Sequence, residues 1–191
     1  GRGLHEAQHD EDALVVREAE LSTMRRLGAS EHDILVVQTN LAITYQAIGR
    51  TQDAMSMERD VYSGRLKLHG EEYPPTLLAA NNYAADLKDL SRLEEAKSIL
   101  RKTTPVARRV LGENDRLTLK MRWNYAETLY ADPGATLDDL REAATTLEDA
   151  ERIARRVFGG TNPITTGIER SLRKARAALR ARETPPSSGS A

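Results

Sequence analysis

The chain has 191 residues, of which 30% are charged and only 4% aromatic, and its formal net charge is −1. This balance gives no global field for nucleic acid or an anionic membrane, and the absence of cysteine excludes disulfides, thiolate catalysis and cysteine-ligated zinc. No run approaches the roughly 18 apolar residues of a membrane span, and the acidic, polar opening GRGLHEAQHDED is not a secretory signal. We therefore expect a cytoplasmic, all-helical protein with no membrane or nucleic-acid partner.

Residues 1–30 are predicted to form the second helix of a partial N-terminal repeat. The chain starts with Gly1 instead of Met and begins inside a repeat, so we expect it to be a fragment of a longer protein. This segment is acidic where the end of the chain is basic, which would permit weak head-to-tail self-association.

The same segment contains the sequence HEAQH at residues 5–9, which matches H-E-x-x-H. On a helix this spacing puts two imidazoles on one face for zinc, with the glutamate as base. Glu18, Glu20 or Glu31 could supply a third ligand, but no further signature of a zinc hydrolase family follows. A zinc-dependent hydrolase is thus a remote alternative, and we expect no metal, no cofactor and no enzymatic activity.

Three segments then share one pattern with a period of 42 residues, marked by Asn40, Asn82 and Asn124. A small residue follows two places later and a large apolar residue five places later in each segment. A second block ending LGEN-x-x-x-TL recurs with the same step, and a five-residue insertion lengthens the last step to 47. We expect three repeats at residues 31–72, 73–114 and 115–160, a capping helix at 161–182 and a disordered tail at 183–191.

Each repeat is predicted to be a pair of helices joined by a short turn. The first helix has Asp33, Asp115 and either Thr161 or Asn162 as its expected N-cap, and glycines end the second helix. Pro105 lies inside the second helix of repeat two, so a kink or break is expected just before it.

Over about residues 12–180 the chain resembles the tetratricopeptide repeats of kinesin light chains. The resemblance rests on the pattern N-L/Y-A-x-x-Y/L, followed by G-R or S-R, then a small residue and then LGEN-x-x-x-TL. The resemblance implies an all-α solenoid of stacked antiparallel helix pairs that form a right-handed superhelix with a C-terminal capping helix. It does not extend to a motor role, because the chain has no heptad stretch to bind a heavy chain and only about three repeats.

In the family it resembles, the repeated Asn faces the concave groove and hydrogen-bonds the backbone of a bound peptide. Carried over to this chain, that role falls on Asn40, Asn82 and Asn124. An amide suits the task because it both donates and accepts hydrogen bonds. Alternatively, each Asn ties adjacent helices together, and the sequence leaves both uses open.

Other residues share this face at helical spacing and complete the predicted groove. Trp123 is either an interface anchor or an ordinary packing residue. Lys88 and Lys120 would pair with an acidic ligand. The face of repeat one is nearly uncharged, so any electrostatic preference is expected from the later repeats. The remaining predicted groove residues are Thr39, Ile43, Gln46, Asn81, Lys88, Lys120, Glu127 and Tyr130.

Together these features predict a protein-interaction scaffold that binds a peptide or protein segment in its groove. The alternative is a structural or oligomerisation spacer of a larger protein. The last helix is rich in arginine but has an apolar stripe opposite, which is typical of a solvated cap and not of nucleic-acid binding.

Overall fold

The computed structural model describes residues 2–184, with side chains from residue 11 onward, and this part of the chain contains helices and no strand. The predicted all-α class is therefore confirmed. The helices are α1 (Arg2–Arg26), α2 (Glu31–Ala47), α3 (Thr51–His69), α4 (Pro74–Asp89), α5 (Leu93–Leu111), α6 (Arg116–Ala131), α7 (Leu137–Phe158) and α8 (Pro163–Glu183).

The helices form two compact units, an N-terminal unit that ends at Arg92 and a C-terminal unit that begins at Leu93. In the N-terminal unit, α1 packs against α2, α2 against α3 and α3 against α4. In the C-terminal unit, α5 packs against α6, α6 against α7 and α7 against α8, and α6 also contacts α8. Contact between successive helices is the arrangement that stacked helix pairs require.

Small residues at the repeated position let neighbouring helices approach closely. Ala42, Ala84 and Ala126 have no exposed surface. Leucines on the same helices are also buried, as Leu41 and Leu87 are in the N-terminal unit. Removing a leucine side chain from water contributes about 1.5–3 kcal/mol, so these residues hold the helices together.

The starts of the helices follow the predicted caps with one correction. Ser30, not Asp33, is the N-cap of α2, because the helix begins at Glu31 and the Ser30 Oγ accepts a hydrogen bond from the Asp33 backbone N at 3.1 Å. Asp115 caps α6, and Asn162 is the residue that caps α8. An N-cap side chain accepts a hydrogen bond from a backbone N–H of the first helical turn, two or three residues after it in the sequence.

Two of the turns between paired helices, those after α2 and α4, contain a residue with positive φ. Gly49 supplies it after α2 with φ 77°, and Ser91, which lies 42 residues later at the same point of the repeat, adopts φ 59°. A residue with a Cβ is strained in this region, so Ser91 holds a conformation that glycine would adopt without penalty.

Helix α5 runs from Leu93 to Leu111 and continues past Pro105, so the expected break is absent. Pro105 and Arg101, whose carbonyl loses its usual N–H partner four residues on, are both exposed. Water can therefore hydrogen-bond that carbonyl, which removes much of the penalty of a proline inside a helix.

Helix α8 buries one stripe, with Ile168, Leu172 and Ala175 on it, and exposes its arginines. Glu183, the first residue of the predicted tail, is the last residue of this helix, and residues 185–191 lie outside the described part of the chain. Within the part that is described, no helix combines the length and apolar character that crossing a membrane requires.

Candidate functional site

The repeated asparagines are all reached by solvent. Asn40 is exposed on α2, and Asn82 and Asn124 are half-buried on α4 and α6. Asn40 and Asn82 belong to the N-terminal unit, and Asn124 belongs to the C-terminal unit. Only the N-terminal unit therefore contains two of the predicted amide contacts.

A cleft of about 290 Å³ lies between α2 and α4, with α3 at its base; we call it the α2–α4 cleft. It brings together three predicted groove residues, Ile43, Gln46 and Asn82. Ile43 is 54% exposed, which leaves its apolar side chain available for contact. The full lining is Ile43, Gln46, Glu58, Asn82, Ala85, Asp86 and Asp89.

Glu58 lies in this cleft although only 3% of its surface is exposed. The Asn82 Nδ2 donates a hydrogen bond to the Glu58 Oε1 at 3.1 Å. The second oxygen, Oε2, is buried and has no hydrogen-bond partner. Asn82 thus ties α4 to α3 while one half of the carboxylate is left unsatisfied.

Asp86 repeats this arrangement one turn further along α4, and it is 4% exposed. The Gln46 Nε2 donates a hydrogen bond to the Asp86 Oδ1, which links α2 to α4. The Asp86 Oδ2 is buried without a partner. Asn82 therefore makes the inter-helix contact that the sequence left open for the repeated asparagines, and Gln46 makes a similar one.

The two carboxyl groups titrate near neutrality. Burial raises the pKa of Glu58 to about 7, and repulsion from Asp86 adds to it, against the opposing effects of Asn82 and Arg65. Burial likewise raises the pKa of Asp86 to about 7, with repulsion from Asp89 adding to it and the Gln46 hydrogen bond opposing it.

The acids of the α2–α4 cleft come from two different repeats. The face of α2 is uncharged, as expected, but Glu58 of α3 and Asp86 and Asp89 of α4 make the cleft acidic. No lysine or arginine is among the residues that line it. Asp86 and Asp89 fall in the expected repeat two (residues 73–114) and so agree with the expectation that charge comes from the later repeats, whereas Glu58 falls in the second helix of repeat one.

These acids were missed because only one helix face was considered, yet the repeats carried a signal. Glu58 stands at the position of the fully buried Leu100 and Leu147 in the next two repeats. Asp86 stands at the position of the buried Thr44. An acid in register with core residues is a recognisable departure from the repeat pattern.

Two further predicted groove residues of the N-terminal unit are Asn81, which is buried, and Thr39, which is half-buried. Asn81 is buried on α4. The Thr39 hydroxyl donates to the Leu35 carbonyl at 2.7 Å and accepts from the Arg65 Nη2 at 3.0 Å. Arg65 also donates to the Pro75 carbonyl at 3.0 Å, so this group of side chains joins α2, α3 and α4.

In the C-terminal unit, Trp123 links α6 to α8. Its Nε1 donates to the Ser171 Oγ at 2.8 Å and to the Glu127 Oε1 at 3.1 Å. The Ser171 hydroxyl donates to the same Glu127 oxygen at 2.7 Å, and the Tyr130 hydroxyl donates to it at 3.3 Å. Burial is the main reason that the pKa of Tyr130 rises to about 12. Trp123, Glu127 and Tyr130 thus form one internal network.

Ser171 was not predicted, although it occupies the position of the repeated Asn in α8, 47 residues after Asn124. The predicted lysines are both half-buried, Lys88 on α4 and Lys120 on α6. They lie in different units, and neither lines the α2–α4 cleft.

A second cavity of about 390 Å³ lies between α5, α6 and α7. Arg122 of α6 lines it and is 8% exposed, with its guanidinium 3.7 Å from the Glu113 carboxylate and 3.9 Å from that of Asp149. Burial lowers the pKa of Arg122 and its Nη1 lacks a hydrogen-bond partner. Both acids also pair with exposed arginines, Arg108 and Arg152.

Among the side chains of residues 11–184, no three His, Asp or Glu groups converge in a way that could hold a metal ion. The H-E-x-x-H segment at residues 5–9 lies outside the described side chains.

A tetratricopeptide-repeat family model matches residues 34–74 and 76–116. Two matches of near-equal length on consecutive segments agree with the 42-residue period. They identify these two segments as tetratricopeptide repeats.

Solved structures of kinesin-light-chain type have the same fold. A Podosopora anserina kinesin light chain with nearly identical TPR-like repeats, solved in two forms, superimposes with TM-scores of 0.77 and 0.74 and 21% identity, covering 94% of this chain and 84% of that one. BtubC (BKLC) from P. vanneervenii gives a TM-score of 0.68 and 17% identity over 96% of this chain and 80% of that one. This likeness confirms the TPR-like all-α solenoid.

A curated relative is a clustered mitochondria protein homolog from Coccidioides immitis (strain RS), which is 24% identical over 152 residues. The match covers 78% of this chain but only 12% of that protein. This chain therefore corresponds to a small part of a much longer relative.

Proposed function

Because this chain carries tetratricopeptide repeats and has a kinesin-light-chain-like fold, we propose that it is a protein-interaction scaffold that holds an extended peptide segment in the α2–α4 cleft. Its role is binding and not catalysis. Repeat scaffolds of stacked helix pairs present surfaces of this kind to a partner.

The observation that carries the proposal is the exposed Ile43 beside the amides of Gln46 and Asn82 in one cleft. An apolar contact flanked by amides suits a peptide, because its side chains need an apolar surface and its backbone needs donors and acceptors. The volume of about 290 Å³ is at the lower end of ligand pockets. It therefore fits one or two side chains of a longer segment better than a whole small-molecule substrate.

The surface available to a partner is narrower than the full set of predicted groove residues. Trp123 is engaged with α8, so we do not assign it the role of an anchor. Asn40, Asn124 and Lys120 are reached by solvent, and we include them as further contacts for a long segment.

The proposal is tested with a random-peptide phage library selected on the purified protein. A selected peptide is then titrated calorimetrically against the unmodified protein and against Ala85→Trp, which fills the cleft without removing a hydrogen-bonding group. Ser63→Trp places the same bulk on an exposed position of α3 outside the cleft and is the matched control.

We expect Ala85→Trp to weaken binding at least tenfold and Ser63→Trp to leave it unchanged. The proposal is overturned if no peptide is selected, or if the selected peptide binds Ala85→Trp as well as the unmodified protein. In either case a mass that rises with concentration in light scattering would favour the oligomerisation spacer.

A further inference from the structure

Helix α1 exposes a face that is buried in the helices at the same position of the repeat. The repeat aligns α1 with α3, α5 and α7, and in each of those helices four residues at helical spacing are buried. They are Ala54, Glu58, Val61 and Arg65 in α3, Ala96, Leu100, Thr103 and Ala107 in α5, and Ala143, Leu147, Ala150 and Ala154 in α7. The matching residues of α1, which we call the α1 face, are all exposed: Asp12, Val16, Ala19 and Thr23. In the described part of the chain, the α1 face is therefore a packing position with no helix against it.

Helix α8 exposes the corresponding face of the other kind of helix. The repeat aligns α8 with α2, α4 and α6, in each of which four residues are again buried. They are Leu35, Gln38, Ala42 and Tyr45 in α2, Leu77, Ala80, Ala84 and Leu87 in α4, and Leu119, Arg122, Ala126 and Leu129 in α6. The matching residues of α8, which we call the α8 face, are Thr166, Glu169, Arg173 and Arg176. Glu169 is half-buried and the other three are exposed, so this face is open as well.

The two open faces belong to the two different members of a helix pair. Helices α2 and α6 are first helices, and they pack against the second helices α3 and α7. By its alignment α8 is a first helix and α1 is a second helix. Because a stack of helix pairs buries the contact between first and second helix, the α8 face and the α1 face are the two sides of one such contact.

The two faces carry opposite charges at the point where a pair has small residues. In the pair of α6 and α7, Ala126 of the first helix and Ala143 of the second have no exposed surface. The residue of α8 that matches Ala126 is Arg173, and the residue of α1 that matches Ala143 is Asp12. A pair formed by α8 and α1 therefore places a guanidinium and a carboxylate on facing helices.

The neighbouring residues extend this match. Those exposed beside the two faces are basic on α8 and acidic on α1, namely Arg170, Arg180, Glu11 and Glu20. Val15 and Val16, which are 67% and 66% exposed, give α1 an apolar contact among its acids. Two α1 faces or two α8 faces would bring like charges together, so contact between unlike faces is favoured.

We propose that the α1 face docks onto the α8 face of a second copy of this chain, with Asp12 and Arg173 on facing helices. None of the residues of either face lines the α2–α4 cleft, so this docking is independent of the peptide-binding function proposed above. A contact of one helix with one helix falls below the roughly 1,200 Å² of a stable interface, and Arg173 prevents the close approach that alanine allows. The association is therefore weak, largely electrostatic and sensitive to salt.

The first test is the dependence of the mass on protein concentration. Sedimentation equilibrium measures the weight-average mass of the unmodified protein from micromolar to near-millimolar concentration, at about 0.05 M and about 0.5 M salt. We expect the mass to rise above the 21.2 kDa of one chain at low salt and to stay near that value at high salt. The mass of one chain at every concentration in low salt overturns the proposal.

Charge reversal then locates the contact. Asp12→Arg leaves a protein with two basic faces and Arg173→Glu one with two acidic faces, so each variant alone should associate about tenfold more weakly than the unmodified protein. An equimolar mixture of the two variants again offers an acidic face to a basic one and should recover the association. Asp60→Arg and Arg116→Glu make the same charge changes at exposed positions of α3 and α6 and are the matched controls.

The controls are expected to associate like the unmodified protein, and circular dichroism checks that every variant is folded. If a reversed variant does not fold, Asp12→Asn and Arg173→Gln replace it, and each should weaken the association to a smaller extent. A loss in the controls equal to that in the face variants overturns the α1–α8 contact, because net charge alone would then explain it. A mixture that associates no better than either variant alone also overturns it.

Discussion

The indole ring of Trp123 occupies the space that a side chain at Gly167 would need. A Cβ placed on Gly167 would lie 2.2 Å from the Trp123 Cη2 and 2.7 Å from its Cζ2. One turn further along α8, Ser171 accepts the indole N–H at 2.8 Å. The single tryptophan is thus locked between α6 and α8 by a contact and a hydrogen bond.

In Gly167→Ala we expect overpacking against the rigid ring to cost the C-terminal unit about 1–3 kcal/mol. Alanine gains roughly 1 kcal/mol over glycine inside a helix, so the expected net effect is a destabilisation of up to about 2 kcal/mol. Urea denaturation followed by the fluorescence of Trp123 measures the change directly.

Gly64→Ala is the control for this substitution, since Gly64 is also inside a helix. Its Cβ would meet the Leu35 Cδ2 at 2.7 Å, which is the end of a flexible side chain that can turn aside. We expect Gly64→Ala to destabilise less than Gly167→Ala. An alanine at Gly167 that leaves stability and emission unchanged would show that the ring is not held as described.

Ser91→Gly should stabilise the N-terminal unit by about 0.5–1 kcal/mol, because Ser91 holds φ 59° where the equivalent Gly49 holds φ 77°. The thermal unfolding midpoint by circular dichroism is the measurement. Gly49→Ser, the reverse change at the matching turn, should lower the midpoint. A Ser91→Gly protein no more stable than the original would mean that the turn carries no strain.

Arg122→Met should be neutral or stabilising by up to about 2 kcal/mol, because the desolvation of the buried and incompletely hydrogen-bonded Arg122 offsets much of its attraction to Glu113 and Asp149. Neither acid is left unpaired by the change, since Arg108 and Arg152 remain. Chemical denaturation supplies the measurement. A loss above about 3 kcal/mol would instead make Arg122 part of an essential ion pair of this unit.

Glu58→Gln should make the stability of the protein less dependent on pH. The pKa of Glu58 rises from its ordinary value of 4.5 to about 7 in the fold, so the folded state keeps a proton that the unfolded chain releases. The stability of the unmodified protein therefore falls as pH rises from about 4.5 to about 7 and then levels off. Glutamine preserves the acceptor for Asn82 but does not ionise.

We expect the variant to gain about 1–3 kcal/mol over the unmodified protein at pH 8 and little at pH 4.5. Urea denaturation followed by circular dichroism at both pH values supplies the comparison, with Asp60→Asn as the exposed control. A stability difference that is the same at both pH values would contradict the raised pKa of Glu58.

Much of the fold could be predicted because the repeats encode it several times in the sequence. The 42-residue step of Asn40, Asn82 and Asn124 identifies the helix pairs. The N-cap Asp115 could be predicted because the N–H groups that its side chain binds lie within three residues of it in the sequence. The exception at Ser30 arose because two plausible caps stand close together, and the position where the helix starts decides between them.

The site was predicted less completely. Periodicity assigns a residue to one face of its helix, but it does not show which residue of another helix that face contacts. Asn82 donates a hydrogen bond to Glu58, which lies 24 residues earlier in the chain, and Trp123 donates one to Ser171, which lies 48 residues later. These distant side chains determine that Asn82 lines an open cleft and that Trp123 packs between helices. Comparison of the repeats position by position is the step that could have revealed them.

Methyl nuclear magnetic resonance shows directly whether a peptide segment binds in the α2–α4 cleft. The isoleucine δ1-methyl groups are labelled in an otherwise deuterated protein, and an unlabelled phage-selected peptide is added. If the peptide lies in this cleft, we expect nuclear Overhauser contacts from it to the exposed Ile43 methyl group and none to Ile99 or Ile153 of the C-terminal unit. Contacts to those two residues, with Ile43 unchanged, would contradict it.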